Sequence, residues 1–405
     1  MGPNRWKAGA VSSSMRECSA LEVLLTFLKL GVTSFGGPIA HIGYFREELV
    51  VRRRWIDDPT YTDLVALCQF LPGPASSQVG FSLGLIRAGY WGGLAAWTGF
   101  ALPSAALMTA FAYGAGELGG ATGQGVIHGL KLVALAVVAQ AVWGMARTSC
   151  PDWRRACIAC IAALLVLLSP SPAIQIGTIL MGALAGFWLC RAPIPATMGT
   201  LGTAVSRRVS IAALTIFCLL LIALPAFARM SHGVALFDAF YRSGALVFGG
   251  GHVVLPLLSK AFVTPGWVSE DAFLAGYGAA QAVPGPLFTF AAYLGAVVGP
   301  GPHGVVGAAL GLIGIFLPGI LILLGALPFW DASRQRAGAQ ATMRGINAAV
   351  VGLLGAALYD PLWISSVRSL RDFAVALVGF VLLTAWRMPP LIVVILAAVG
   401  GVLVG

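Results

Sequence analysis

Two short motifs each occur twice in this chain. Phe35-Gly36-Gly37-Pro38 recurs as Phe248-Gly249-Gly250-Gly251, and Leu71-Pro72-Gly73-Pro74 recurs as Val283-Pro284-Gly285-Pro286. The first motif recurs 213 residues later and the second 212 residues later, in the same order. This spacing indicates an old duplication. Duplicated halves with Gly and Pro breaks inside apolar segments are typical of secondary transporters, and the breaks point to the substrate site.

The composition places most of this chain in a membrane. Of its 405 residues, 58% are hydrophobic and only 10% are charged, whereas a soluble domain has about 25% charged residues. The apolar stretches have the length of membrane-spanning helices, not of the short alternating strands of a β-barrel. The net charge of +10 comes mostly from basic residues in short loops, so it indicates membrane topology and not nucleic-acid binding.

The charges of matched loops predict that the two halves face opposite sides of the membrane. Residues 37–60 carry four arginines, but the matching residues 250–272 carry one lysine and no arginine. Residues 114–125 carry no basic residue, but the matching residues 329–344 carry three arginines. Positive loops favour the cytoplasmic side. We therefore predict an all-α polytopic membrane protein whose two homologous halves form an inverted-topology repeat with broken or re-entrant helices.

We divide the chain into four segments. Residues 1–20 form a polar N-terminal tail, 21–190 the first repeat, 191–233 a linker with one extra transmembrane helix, and 234–405 the second repeat. The apolar pieces beside the breaks are shorter than the ~20 residues that a membrane crossing needs. They form re-entrant or broken hairpins or, alternatively, short tilted spans.

The breaks are also candidate anion sites. Pro favours the first turn of a helix and Gly permits the turn before it, so four half-helices are expected to begin at the breaks. The N–H groups at a helix N-terminus attract anions. The predicted substrate-binding residues at and beside the breaks are Ser34, Gly36, Gly37, Gln69, Gly73, Ser76, Ser77, Gln78, Gly249, Gly250, Gln281, Gly285 and Thr289. The alternative is that Gly and Pro only form kinks and close helix contacts.

Two cations occupy matching positions in the two halves. Lys29 and Arg242 each precede the Phe of their motif by six residues. A cation inside an apolar helix is costly and is a functional candidate by default, and two of them would neutralise a dianion. The alternatives are that they snorkel to the interface or pair with Glu22 or Asp238.

Other polar residues have less specific patterns. His41 and His252 follow the two Gly-rich motifs and are candidates for proton coupling, or for structural hydrogen bonds. The role of Lys131 stays open. Cys157 and Cys160 form a CxxC pair inside an apolar helix, without the second pair that a zinc site needs. Since the sequence also lacks a nucleotide-binding loop, a nucleophile elbow and a metal-ligand cluster, we expect neither an enzyme nor a cofactor.

At this level of detail both halves resemble the chromate ion transporter family, in its long two-domain form. The resemblance rests on FGGPIAHIGYF (35–45), RRWID (53–57), LCQFLPGPASSQVG (67–80), FGGGH (248–252), PGW (265–267) and AAQAVPGPLFTF (279–290). It implies a multi-pass protein of the bacterial inner membrane that expels chromate and confers resistance, driven by the membrane potential or the proton gradient. It also implies sulfate as a competitor.

Three alternatives to chromate export remain open at this stage: a carrier of sulfate or another oxyanion, a passive anion channel, and a membrane scaffold without turnover. A homodimer is also left open. Besides chromate, the expected partner is the lipid bilayer, and no nucleic acid is expected.

Overall fold

The computed structural model describes residues 19–115, 120–169, 171–191, 205–248, 251–299, 301–330 and 336–404. Gly249 and Gly250, two of the predicted site residues, lie outside this part of the chain, as does most of the polar tail. All regular structure within the described residues is helical, as the composition predicts.

The first half contains seven helices among its described residues: α1 (Ala20–Thr33), α2 (Gly37–Phe45), α3 (Asp58–Phe70), α4 (Ala75–Ala115), α5 (Gly120–Ser149), α6 (Trp153–Leu168) and α7 (Pro172–Leu189). A π-helical segment, Arg46–Arg52, prolongs α2. Helix α8 (Arg207–Phe227) then joins the halves.

The second half repeats this order with α9 (His232–Ala245), α10 (Val254–Leu258), α11 (Glu270–Ala280), α12 (Phe290–Val297), α13 (Gly304–Ala326), α14 (Ala337–Ala357), α15 (Leu370–Thr384) and α16 (Pro390–Val404). A π-helical segment, Ser259–Val263, follows α10, and another, Leu358–Trp363, follows α14.

Five helical stretches of the described chain are long and apolar enough to cross a membrane: Ala75–Gly114, Thr122–Ser149, Arg207–Phe227, Gly304–Phe329 and Ala337–Ser366. Helix α8 has no counterpart in the repeat and packs on α9 and α13. Its Ser210 hydroxyl donates a hydrogen bond to the Gly325 carbonyl at 2.5 Å. The structure thus agrees with a polytopic helical membrane protein, and α8 is long and apolar enough to be the predicted extra crossing between the halves.

Helix α4 is a hairpin of two helices. Its backbone leaves helical geometry at Ala88 and Gly89, where the chain reverses direction. The backbones of Gly84 and Gly92 then touch, which leaves no room for a side chain at either position. The second half forms the same hairpin with α12 and α13.

The matched helices α5 and α14 are exchanged between the halves. Helix α5 of the first half packs on α15 and α16, whereas α14 of the second half packs on α6 and α7. Both contacts use close glycine pairs at matching positions, Gly129 against Gly401 and Gly345 against Gly186. Small residues allow such close helix approach within a membrane. The two halves therefore form one interlocked bundle.

The matched helices α5 and α14 run in opposite directions. His128, near the start of α5, bonds Asp372 at the start of α15, which follows the end of the α14 segment. Arg344, in the N-terminal half of α14, bonds the carbonyl of Cys190 beside the start of α6, which follows the end of α5. This arrangement is the one expected for an inverted repeat.

Candidate functional site

The described residues at and beside the four breaks meet at the interface of the two halves. The Gly73 N–H donates a hydrogen bond to the Val247 carbonyl at 2.7 Å, and the Gly285 N–H donates one to the Ser34 carbonyl at 2.8 Å. Each bond joins the Pro-Gly-Pro motif of one half to the residue before the Phe-Gly-Gly motif of the other. The repeated motifs are therefore brought together by reciprocal contacts.

Only glycine fits the centre of each Pro-Gly-Pro motif. Gly73 and Gly285 have φ angles of +118° and +96°, which side chains rarely adopt. A Cβ atom on Gly73 would lie 2.9 Å from the Gly319 Cα atom. A Cβ atom on Gly285 would lie 2.8 Å from the Ser104 hydroxyl oxygen. Ser104 and Gly319 were not predicted as site neighbours, although each directly follows a repeated Leu-Pro pair.

The half-helices at the breaks differ from the predicted set of four equivalent ones. Pro38 lies in the first turn of α2, and α4 begins directly after Pro74. In the second half both breaks open into 3-10 turns, Gly251–Val253 and Leu287–Thr289. The α10 helix that follows the first of these turns has only five residues. This turn, α10 and the π-helical segment after it nevertheless form one continuous helical stretch, Gly251–Val263, so an anion-binding N-terminus at Gly251 stays a prediction.

The first half supplies buried polar atoms that lack hydrogen-bond partners in the described structure. Beside the breaks, these atoms include the hydroxyl oxygens of Ser34 and Ser77, the Nε2 atom of His41 and the amide oxygen of Gln78. The Nδ1 atom of His41 lies 3.4 Å from the Ser76 hydroxyl. In the tautomer in which Nδ1 accepts the Ser76 hydrogen, Nε2 carries a hydrogen and is a free donor. Buried donors without partners are costly and fit a site for a hydrogen-bond acceptor.

The side-chain amides of the predicted Gln residues are not all free to donate hydrogen bonds at the breaks. The Gln78 Nε2 atom donates to the carbonyls of Pro72 and Gly319, each at 2.9 Å, so Gln78 holds the two halves together. Gln281 Nε2 donates to the Tyr277 carbonyl at 3.5 Å within its own helix, and Gln69 is exposed. Gln78 is therefore a positioning residue for the breaks.

The polar side chains of the second-half motif are bonded internally. Thr289 donates its hydroxyl hydrogen to the Pro286 carbonyl at 2.8 Å, within its own turn. His252 Nδ1 lies 2.8 Å from the Tyr277 hydroxyl. Ser34, Ser77 and His41 of the first half, in contrast, keep buried polar atoms without partners in the described structure.

Both predicted intramembrane cations form ion pairs. The Lys29 ammonium lies 3.3 Å from Glu48, whose carboxylate also binds Arg52 and Arg53, each at 2.9 Å.

Arg242 pairs with Asp238 at 2.8 Å, one helical turn earlier. Arg242 thus forms the ion pair with Asp238 that was given as an alternative. Lys29 pairs with Glu48, which was not predicted.

Lys131 has a structural partner in the other half. Its side chain is buried and pairs with Asp271 at the start of α11. Together with the His128–Asp372 pair at 2.7 Å, this contact ties α5 to the second half. Both carboxylates were missed because they lie more than a hundred residues away in sequence. The described residues contain no cluster of His, Cys, Asp and Glu suited to a metal ion.

Comparison with known proteins agrees with this architecture. The family model described as "Chromate transporter" matches the chain twice, at residues 21–187 and 234–402. A chromate transport protein of Pseudomonas aeruginosa is 29% identical over 403 residues, covering 94% of this chain and 90% of that protein. A probable chromate transport protein of Synechococcus elongatus is 26% identical over 385 residues, covering 93% of each chain.

Half-length relatives support the duplication. An uncharacterised transporter of Bacillus subtilis is 27% identical over 179 residues, covering 96% of its own length but 42% of this chain. No solved structure matches the chain. The duplicated motifs, the helical fold and the two matches of the family model together show that this chain belongs to the chromate transporter family, in its long two-domain form.

Proposed function

We propose that this chain is a secondary carrier that exports chromate across the bacterial inner membrane, with an anion site where the four breaks meet. The observation that carries this proposal is the pair of reciprocal backbone bonds, Gly73 to Val247 and Gly285 to Ser34. They join the halves beside unpartnered buried donors of the first half. The names of the relatives supply the substrate.

A tetrahedral dianion loses much of its hydration on entering such a site, and the protein has to replace those contacts. The hydroxyls of Ser34 and Ser77 and the Nε2 hydrogen of His41 would each donate to one oxygen. The backbone N–H groups at the starts of α2 and α4 have no partners within their helices and would add further donors.

The charge balance requires more than helix ends. Each helix N-terminus supplies about half a positive charge, so α2 and α4 offset about one of the two negative charges. We assign the remainder to Lys29 and Arg242. Each is paired with a carboxylate in this conformation, and each would turn toward the anion in another state of the transport cycle.

The first-half break is the more accessible one. Gly36 is exposed, and a Cβ atom on Gly37 would meet no atom within 4 Å. Gly251, in contrast, is buried, whereas its counterpart Pro38 is half-buried. We infer that the anion enters beside Gly36 and Gly37 and leaves after the halves rock against each other. His41 and His252 are the candidates for carrying a coupled proton.

The test is uptake of chromate and of sulfate into inverted membrane vesicles, with the proton gradient and the membrane potential collapsed separately. A carrier takes up chromate against its gradient, saturates, and stops when the coupled gradient is lost. Uptake that neither saturates nor moves uphill would instead indicate a channel. Uphill uptake of sulfate without chromate would indicate the other oxyanion carrier.

A further inference from the structure

A second cationic site lies far from the breaks in sequence, at the ends of α6, α7 and α14. A cavity of about 450 Å³ is lined there by Arg154, Arg155, Arg191 and Arg344, with Asp152 beside them. We call these five residues the arginine pocket. Arg154 and Arg155 belong to the first half, Arg191 is the first residue of the linker, and Arg344 belongs to the second half.

The arginine pocket carries an excess of positive charge. Asp152 binds Arg155 at 2.6 Å, and hydrogen bonds from Arg155 hold the pKa of Asp152 below its usual range, so this carboxylate stays ionised. The other three guanidinium groups donate mainly to carbonyls: Arg154 to Leu189 at 3.2 Å, Arg191 to Phe187 at 3.2 Å and Arg344 to Cys190 at 3.0 Å. Carbonyls do not neutralise charge, so an anion is favoured here.

Comparison of the two halves shows that a carboxylate of the second half has no counterpart in the arginine pocket. Arg344 corresponds to His128, which is bonded by Asp372, the third residue of α15. The third residue of the matching helix α6 is Arg155. The second half thus places Asp372 beside His128, whereas the first half places Arg155 in the same pocket as Arg344. Because Asp152 balances only the charge of Arg155, an anionic ligand would supply to Arg344 the negative charge that Asp372 supplies to His128.

The surroundings of the pocket are those of a membrane interface. Trp153 and Trp188 are each 72% exposed, as expected for aromatic residues at the level of lipid headgroups. Large apolar side chains are exposed along the same two helices, among them Leu164 of α6 and Leu184 of α7. Because the loops at this end are rich in arginine, the positive-inside rule assigns the pocket to the cytoplasmic leaflet.

We propose that the arginine pocket binds the phosphate headgroup of an anionic phospholipid, which bridges α6 and α7 of the first half to α14 of the second. Arginines bind phosphate through paired hydrogen bonds, and basic pockets between helices on the cytoplasmic side suit such headgroups. The lipid would take the place of the missing carboxylate and hold the exchanged helix α14 in position. This inference does not depend on which anion the protein transports.

The test uses the full-length protein in neutral detergent, with thermal unfolding followed as phosphatidylglycerol or phosphatidylcholine is added. We expect phosphatidylglycerol alone to raise the melting temperature. Arg344→Gln and Arg191→Gln should each weaken its apparent affinity about fivefold, as expected for one basic residue. Arg208→Gln is the control, because Arg208 is an exposed arginine outside the pocket. Arg191 is exposed, so its variant remains informative if Arg344→Gln does not fold.

A designed carboxylate tests the same inference in the opposite direction. Arg155→Asp places an acid at the position that Asp372 holds in the other half, and it should reduce the stabilisation by phosphatidylglycerol. Unchanged lipid affinity in both Gln variants would overturn the proposal. Stabilisation by inorganic phosphate that equals that of phosphatidylglycerol and depends on Arg344 would also overturn it, because the pocket would then bind a free oxyanion.

Discussion

The hairpin formed by α2 and α3 and its counterpart formed by α10 and α11 carry the same motifs but differ in burial. Helix α11 buries every residue from Phe273 to Ala280, whereas α3 buries only one face. The small residues of α11 allow it to lie against α5, and Gly278 touches the backbone of Leu130. Duplication has thus preserved the breaks while the helices beside them diverged.

The same difference appears in the hydrogen bonds. Thr289 and His252 of the second half are bonded to neighbouring groups, whereas Ser34, Ser77 and His41 of the first half retain unpartnered buried atoms. We propose that the second half contributes mainly structure at the meeting point and the first half contributes mainly donors. The predictions below test this division, beginning with the largest expected effect.

The largest effect is expected where the two halves are alike. Gly73→Leu and Gly285→Leu should each abolish chromate transport, because a side chain is disfavoured by the positive φ and by the close neighbours at both positions. The protein should still reach the membrane, since its apolar helices are unchanged. Transport assays and membrane immunoblots check both points. Gly144→Leu is the control, because its Cβ atom would meet nothing within 4 Å. Normal transport by both variants would reduce the breaks to packing features.

The paired cations should differ in their effect on folding. Lys29→Gln should weaken chromate binding about tenfold or more with little loss of stability, because Glu48 keeps Arg52 and Arg53 as partners. Arg242→Gln should also cost roughly 1–3 kcal/mol of stability, because Asp238 loses its guanidinium partner. Binding and thermal unfolding of the purified variants at matched expression provide the measurement.

A double variant separates charge from folding in the second half. Arg242→Gln combined with Asp238→Asn should recover stability but not chromate binding. Near wild-type affinity in both single Gln variants would leave the helix ends as the main anion site and restrict both cations to their ion pairs.

A smaller effect should distinguish the hydroxyls of the two halves. Ser34→Ala and Ser77→Ala should each raise the KM for chromate by about tenfold, which corresponds to one lost hydrogen bond to a charged ligand. Thr289→Val should lower stability and leave the KM unchanged, because its hydroxyl serves the Pro286 carbonyl. An equal rise in KM for Thr289→Val would contradict the proposed division.

The smallest effect on transport is expected at the hairpin tips, which test the inversion itself. Arg54 and Gly266 are exposed, occupy matching turns and have φ angles of +53° and +76°. In a background without reactive native cysteines, Arg54→Cys and Gly266→Cys should transport normally and should react with an impermeant thiol reagent from opposite sides of the membrane. Labelling from the same side would place the repeat axis along the membrane normal.

The sequence by itself determined the features that are local or repeated. Apolar stretches predicted a helical membrane protein, and Gly and Pro predicted the helix breaks, because both act on the backbone of their own position. The recurrence of two motifs predicted the duplication and led to the family. The boundaries 20, 190 and 233 of the predicted segments remain a prediction.

Tertiary structure decided which of these residues meet. The exchange of α5 and α14 between the halves, the partners Glu48 and Asp271, and the role of Gln78 as a clamp depend on contacts between distant segments. The different burial of α3 and α11 depends on the helices that cover them. Residue type determines which hydrogen bonds a side chain can form, but packing selects one partner among many. Packing therefore leaves the hydroxyls of Ser34 and Ser77 without partners in the described structure, while the Thr289 hydroxyl is bonded.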